Sequence, residues 1–125
     1  MPYRGLAVSV PVFVAKTAAY TLLPEDDGKT FTTRGAGSGT VIFTLPAVSK
    51  IQAGWSARFF AVGAAAMAVA SEADKMVTFN DADADKVQLG TASEIIGGGI
   101  AVEFDGTSFL VWLSTEATQT VAVTT

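Results

Sequence analysis

Asp81, Asp83 and Asp85 stand at alternate positions in the run NDADADK. Clustered carboxylates are what a calcium ion takes as ligands. A helix–loop–helix calcium site starting at Asp81 needs glycine where Lys86 stands and an acid at Ala92, and both are missing. On a strand, this spacing puts all three carboxylates on one face, where they repel unless a cation lies between them. A solvated acidic loop over residues 80–85 is the plainer expectation. Should a metal bind, these three are the first ligands. Glu25, Asp26 and Asp27 are adjacent in PEDDG. Paired carboxylates hydrolyse glycosides when they face each other across a cleft, whereas neighbours within a turn cap local amides. Trp55, Trp112, Tyr3 and Tyr20 could stack on sugars or bases. Aromatics in alternating strands belong in the core, with Tyr3 set apart by its place near the N-terminus. The glycine-rich runs at 35–39 and 97–99 lack a GxxxxGK[ST] pattern and a following helix, so they read as β-turns rather than phosphate loops.

The chain has no Cys and no His. Disulfides, Cys/His zinc sites and Ser-His-Asp or Cys-His catalysis are thereby excluded. No cofactor is implied. Net charge is −4, and the 8 basic residues sit singly along the sequence. With no basic stripe to follow a phosphate backbone, a nucleic-acid partner is not expected. Half of the 125 residues are apolar and 16% are charged, against about 25% charged in a typical domain. A single domain of this length has little polar material to cover its outside. Self-association or docking on a larger surface is the consequence.

Neither apolar stretch suits a membrane. Residues 59–70 fall short of the roughly 20 a spanning helix needs. Residues 6–15 follow Arg4 like a signal sequence, but they are Val-rich, carry Pro11 and run into Lys16, which favours an extended chain.

Period-two alternation dominates the rest. In residues 40–45, Val41, Phe43 and Leu45 share one face. Residues 55–62 put Trp55, Ala57 and Phe59 on one face. Short strands are also expected at 20–23, 29–33, 75–79 and 87–89. Residues 63–70 admit helix or strand, and strand is favoured by its neighbours. Asp105-Gly106 between residues 100–104 and 109–114 is a strong hairpin signal. Both faces of its second strand are apolar: Phe109, Val111 and Leu113 on one, Leu110 and Trp112 on the other. One face therefore belongs to the core and the other to an interface or second layer. Residues 116–125 form a last strand or a tail.

The pattern predicts an all-β fold: a single-domain β-sandwich or barrel of short antiparallel strands over residues 18–125, preceded by an extended N-terminal arm at 1–17. In that arm, Val8, Val10, Val12 and Val14 alternate with Ser9, Pro11 and Phe13. This suits either a strand laid on an apolar surface or a first edge strand of the same domain.

The segments AYT at 19–21, DDGKTFT at 26–32, TVIFTLP at 40–46 and the hairpin VEFDGTSFLVW at 102–112 together resemble a β-module of tailed-bacteriophage virion proteins. The resemblance spans about residues 18–114. It departs where many relatives carry a Gly-rich stretch and this chain has VSKIQAGW, and it leaves the arm uncovered. Such modules occur in capsid decoration proteins and in tail fibres, and they work as oligomers, often trimers. The resemblance implies a structural virion protein rather than an enzyme. It is expected to be made in the host cytoplasm, to form a homotrimer on the capsid surface and to staple neighbouring copies of the major capsid protein against internal pressure. The alternative is a receptor- or glycan-binding domain at a tail tip. The arm, through Tyr3, Arg4, Val8, Val10, Val12 and Phe13, is the expected capsid contact.

Overall fold

Val, Phe and Thr recurring at period two hide their apolar side chains most readily in strands laid as two facing layers. The computed structural model of the chain describes residues 12–90, 95–115 and 120–125. Among them lie twelve strands: β1 (Phe13–Ala15), β2 (Tyr20–Thr21), β3 (Thr30–Thr32), β4 (Thr40–Thr44), β5 (Ser56–Phe60), β6 (Ala66–Ala70), β7 (Met76–Thr78), β8 (Asp81–Ala84), β9 (Lys86–Leu89), β10 (Gly99–Phe104), β11 (Phe109–Ser114) and β12 (Val121–Thr124). The helical content described is two 3-10 turns, Pro24–Asp26 and Val48–Lys50. A seven-stranded sheet runs β1-β3-β5-β10-β11-β7-β8 and a five-stranded sheet runs β12-β9-β6-β4-β2. Neither closes on itself, so the all-β fold is a sandwich and not a barrel.

Pairing throughout by antiparallel strands is the expectation that the structure corrects. The first six strands alternate between sheets. β1, β3 and β5 stack in parallel in the larger sheet, and β2, β4 and β6 do the same in the smaller one. The chain crosses the sandwich at every connection, and strands reached by such crossings return in the same direction. Antiparallel pairing takes over in the second half, at β10–β11, β5–β10, β6–β9, β9–β12 and β7–β8. β11 and β7 are again parallel.

The registers line up residues of like character. Across the inside of the larger sheet run Val14, Phe31, Phe59, Ile100 and Leu113. Across the inside of the smaller one run Tyr20, Phe43, Val69, Val87 and Val123. Phe31, Phe43 and Phe59 are fully buried and meet with ring centroids 5.0–5.7 Å apart, so the two rows interlock through aromatic contacts. A second aromatic group, Trp55, Phe104 and Phe109, fills the other end of the core.

The hairpin at Asp105 forms as expected, with Phe104 opposite Phe109. Asp105 Oδ1 accepts the Thr107 and Ser108 amides at 2.8 and 2.9 Å, the side chain completing the turn. Residues 63–70 supply a strand, β6. Residues 80–85 correct the acidic-loop expectation, since β8 occupies Asp81–Ala84 at the edge of the larger sheet. Aspartate is disfavoured within sheets, yet charge on an edge strand keeps other chains from pairing with it. Of the two readings of the N-terminal segment, its described part meets the second: β1 is an edge strand whose Val14 packs on the core. Tyr3, Arg4, Val8 and Val10 lie outside the described residues.

Candidate functional site

Of the carboxylates singled out by spacing, Asp81 and Asp85 accept hydrogen bonds from neighbouring backbone amides. Asp81 Oδ1 accepts the Asp83 amide at 2.9 Å, and its Oδ2 accepts the Thr125 hydroxyl at 2.5 Å. The Thr125 and Asp83 hydrogen bonds hold the Asp81 carboxyl below the ordinary aspartate value. Asp85 Oδ1 accepts the Asp74 amide at 2.6 Å, in a loop where Asp74 has a φ of 62°. Asp81, Asp83 and Asp85 are thus not brought together. Among the described residues no group of three or more carboxylates could hold a metal ion.

The triplet Glu25, Asp26 and Asp27 does more than cap its own turn. Asp26 is buried at 3% exposure. Its Oδ2 accepts the Tyr20 hydroxyl and the Leu23 amide, each at 2.8 Å, and its Oδ1 accepts Lys29 Nζ at 2.7 Å. Burial pushes the Asp26 carboxyl up. The Leu23, Lys29 and Tyr20 hydrogen bonds outweigh that and hold it below its usual range. The Tyr20 hydroxyl is raised in turn, mainly because it donates to Asp26. Lys16 Nζ sits 3.8 Å from the centre of the Tyr20 ring. Asp27 Oδ1 accepts the Ser56 amide at 2.9 Å, and Trp55 Nε1 donates to the Pro24 carbonyl at 2.9 Å. The acidic turn is therefore a clasp joining β2, β3 and the start of β5. Glu25 is exposed.

The glycine run at 97–99 is likewise structural. A Cβ on Gly98 would lie 2.7 Å from Leu89 Cδ1 and 3.1 Å from the Ile95 carbonyl oxygen, so a side chain here would have to push both back.

The aromatics divide differently from expectation. Trp55 is core, and Tyr20 is half-buried. Trp112 is 52% exposed, which departs from the general expectation for strand aromatics and fits the hairpin reading that set it on the face opposite Phe109. Its strand alternates as anticipated, with Phe109, Val111 and Leu113 turned to the core. Trp112 ends a row of outward side chains that crosses five strands in register: Phe13, Thr30, Arg58, Ala101 and Trp112. The next row places Phe60 opposite Gly99. The Phe60 Cδ2 atom lies 3.9 Å from where a Gly99 Cβ would be, so the ring leans over the bare backbone. On the other side, Leu110 stands between Glu103 and Val77.

Phe13 is 70% exposed and Phe60 45%. With Arg58 and Trp112 they line an open groove of about 370 Å³. Phe13, Thr30 and Phe60 also line a second groove that continues toward Arg34 and Val62. Of the expected capsid-contact residues, Val12 and Phe13 are described and exposed, and Phe13 lines both grooves. Sequence reading missed Phe60 and Arg58. Placing Ala57 and Phe59 inward had already fixed both as outward, and that signal was sufficient to find them.

No family model matches the chain, and no curated protein matches it either. Among the described residues no helix is long and apolar enough to cross a membrane.

Proposed function

We propose that this protein acts by adhesion, as a structural virion subunit that oligomerises on the outside of a phage capsid and staples neighbouring capsomers. The observation that carries this reading is the aromatic outer face of the larger sheet. Phe13, Phe60 and Trp112 stand out from it beside Arg58, and a lone domain gains nothing by exposing them. The likeness of residues 18–114 to phage virion modules supplies the setting. Apolar surface removed from water contributes about 25 cal/mol per Å², less the cost of docking. An oligomer engaging several sites at once multiplies weak contacts.

Since β1 belongs to the sheet, the proposed capsid contact is the part of the arm before it, residues 1–11. Co-sedimentation with empty capsids of the parent phage tests this. Full-length protein is expected to bind, and a chain lacking residues 1–11 is expected to stay oligomeric and lose binding. A full-length chain that leaves capsids bare overturns the decoration role, and undiminished binding by the shortened chain overturns the role of the arm.

One observation favours a second reading. Trp112 and Phe60 flank Arg58 in an open groove, an arrangement that can stack on a sugar ring and hold its hydroxyls. Glycan-array binding abolished by Trp112→Ala would favour a tail-tip receptor domain instead.

A further inference from the structure

We infer that the outer face of the larger sheet is where copies of this chain meet, with Arg58 of one copy set on Glu103 of another. The inference rests on the self-association half of the proposed function and names its surface.

The face is one-sided in a way composition alone does not require. The matching outward row of the smaller sheet is Thr21, Thr44, Ala70, Lys86 and Thr124. The larger sheet's face is anchored at both ends of a row by Phe13 and Trp112. That row spans four strand spacings, about 19 Å. Phe60, Leu110 and Val77 widen the apolar area on either side.

Its charges select the occupant. Arg58 on β5 lies opposite Ala101, and Glu103 on β10 lies opposite Ser56, so the two are diagonal neighbours on adjacent strands of one face. Both are exposed, and they do not pair with each other; the ion pair among the described residues is Lys29–Asp26. A foreign partner with a single sign of charge satisfies one of them and opposes the other. A second copy carries both, so rotating it onto the first supplies a carboxylate for each guanidinium. The edge strands discourage the alternative of sheet extension at two places: β8 carries Asp81 and Asp83, and β2 is two residues long.

Light scattering and sedimentation equilibrium on the full chain test this. The unaltered protein is expected to be oligomeric. Arg58→Glu and Glu103→Arg are each expected to weaken association about tenfold or more, and the double variant to recover most of the loss. Trp112→Glu is expected to give a monomer with an unchanged far-ultraviolet spectrum. Thr44→Glu on the opposite face reports whether any added carboxylate disturbs the fold, and it is expected to leave mass and melting unchanged. A monomeric parent protein overturns the inference. So do folded single variants that associate normally, and a double variant no better than either single one. Charge-swap rescue in a protein that ignores capsids keeps this interface and removes the decoration role.

Discussion

On the outside of the five-stranded sheet, Thr21, Thr44, Ala70, Lys86 and Thr124 meet solvent in one row. On the outside of the seven-stranded sheet, the corresponding row is Phe13, Thr30, Arg58, Ala101 and Trp112. Both rows come from the same period-two alternation and both back onto the same core. What differs is the set of residues left pointing away from it. Threonine satisfies a strand's preference for β-branching and still hydrogen-bonds to water. Phenylalanine and tryptophan satisfy the preference and leave a large apolar surface that something else must cover. Strand-forming tendency therefore explains the threonine row and does not account for the large exposed aromatics of the other, which is why the latter carries the functional reading.

The broadest way to break this comparison is to remove what both faces rest on. Phe59 is buried beneath the larger sheet, between outward Arg58 and Phe60, and touches Phe31 and Phe43. Phe59→Ala is expected to lower unfolding free energy by about 4 kcal/mol, measured in urea, and to destroy both faces together. Next comes the clasp that ties the edge of the smaller sheet to the larger one. Asp26→Ala strands the Leu23 amide and the Tyr20 hydroxyl and is expected to cost about 3 kcal/mol. Because the folded Asp26 carboxyl sits below its unfolded value, its contribution is complete above the unfolded value and fades as pH falls through the folded one. Urea melts from pH 7 down to pH 2 are expected to show that loss in the parent protein and a flatter profile in Asp26→Asn.

Trp112→Ala sharpens the comparison most directly. It is expected to weaken association by at least about 2 kcal/mol while leaving monomer unfolding nearly unchanged. A smaller effect of opposite sign is expected at the β7–β8 turn. Phe79 and Asn80 there have φ values of 44° and 62°, and Phe79 is 61% exposed. Two positive φ angles suit a two-residue hairpin turn, but phenylalanine pays for the left-handed conformation. Phe79→Asn is expected to raise the melting temperature, by the equivalent of about 1 kcal/mol. Thr44→Glu should be the smallest, within about 0.5 kcal/mol and without effect on mass.

Legibility in the sequence followed the range of the physics involved. Alternation marked β4 and β5 and their inward residues, and Asp105-Gly106 marked the β10–β11 hairpin, because both signals are local. Partner choice was not local. Phe13, Thr30 and Arg58 align in register although the intervals between them are unequal, so no repeat announced the parallel winding of β1, β3 and β5. β8 hid behind its aspartates, which are tolerated only because the strand lies at an edge. The outward turn of Trp112 was readable from its alternation with Phe109. Its exposure was not, since that depends on nothing among the described residues lying over it.

The parallel winding also sets an order of events during synthesis. Strands β1 and β2 leave the ribosome first, yet their neighbours in the sheets, β3 and β4, pair onward with β5 and β6. β5 in turn waits for β10, and β6 waits for β9. Chain emerges at roughly 5–20 residues per second. The earliest strands therefore spend several seconds without the layers they belong to, and the sandwich closes only when its last third is available. A nascent chain halted before residue 99 lacks the strand that joins β5 to β11. Ribosome-bound fragments of increasing length should acquire protease resistance in one late step rather than strand by strand.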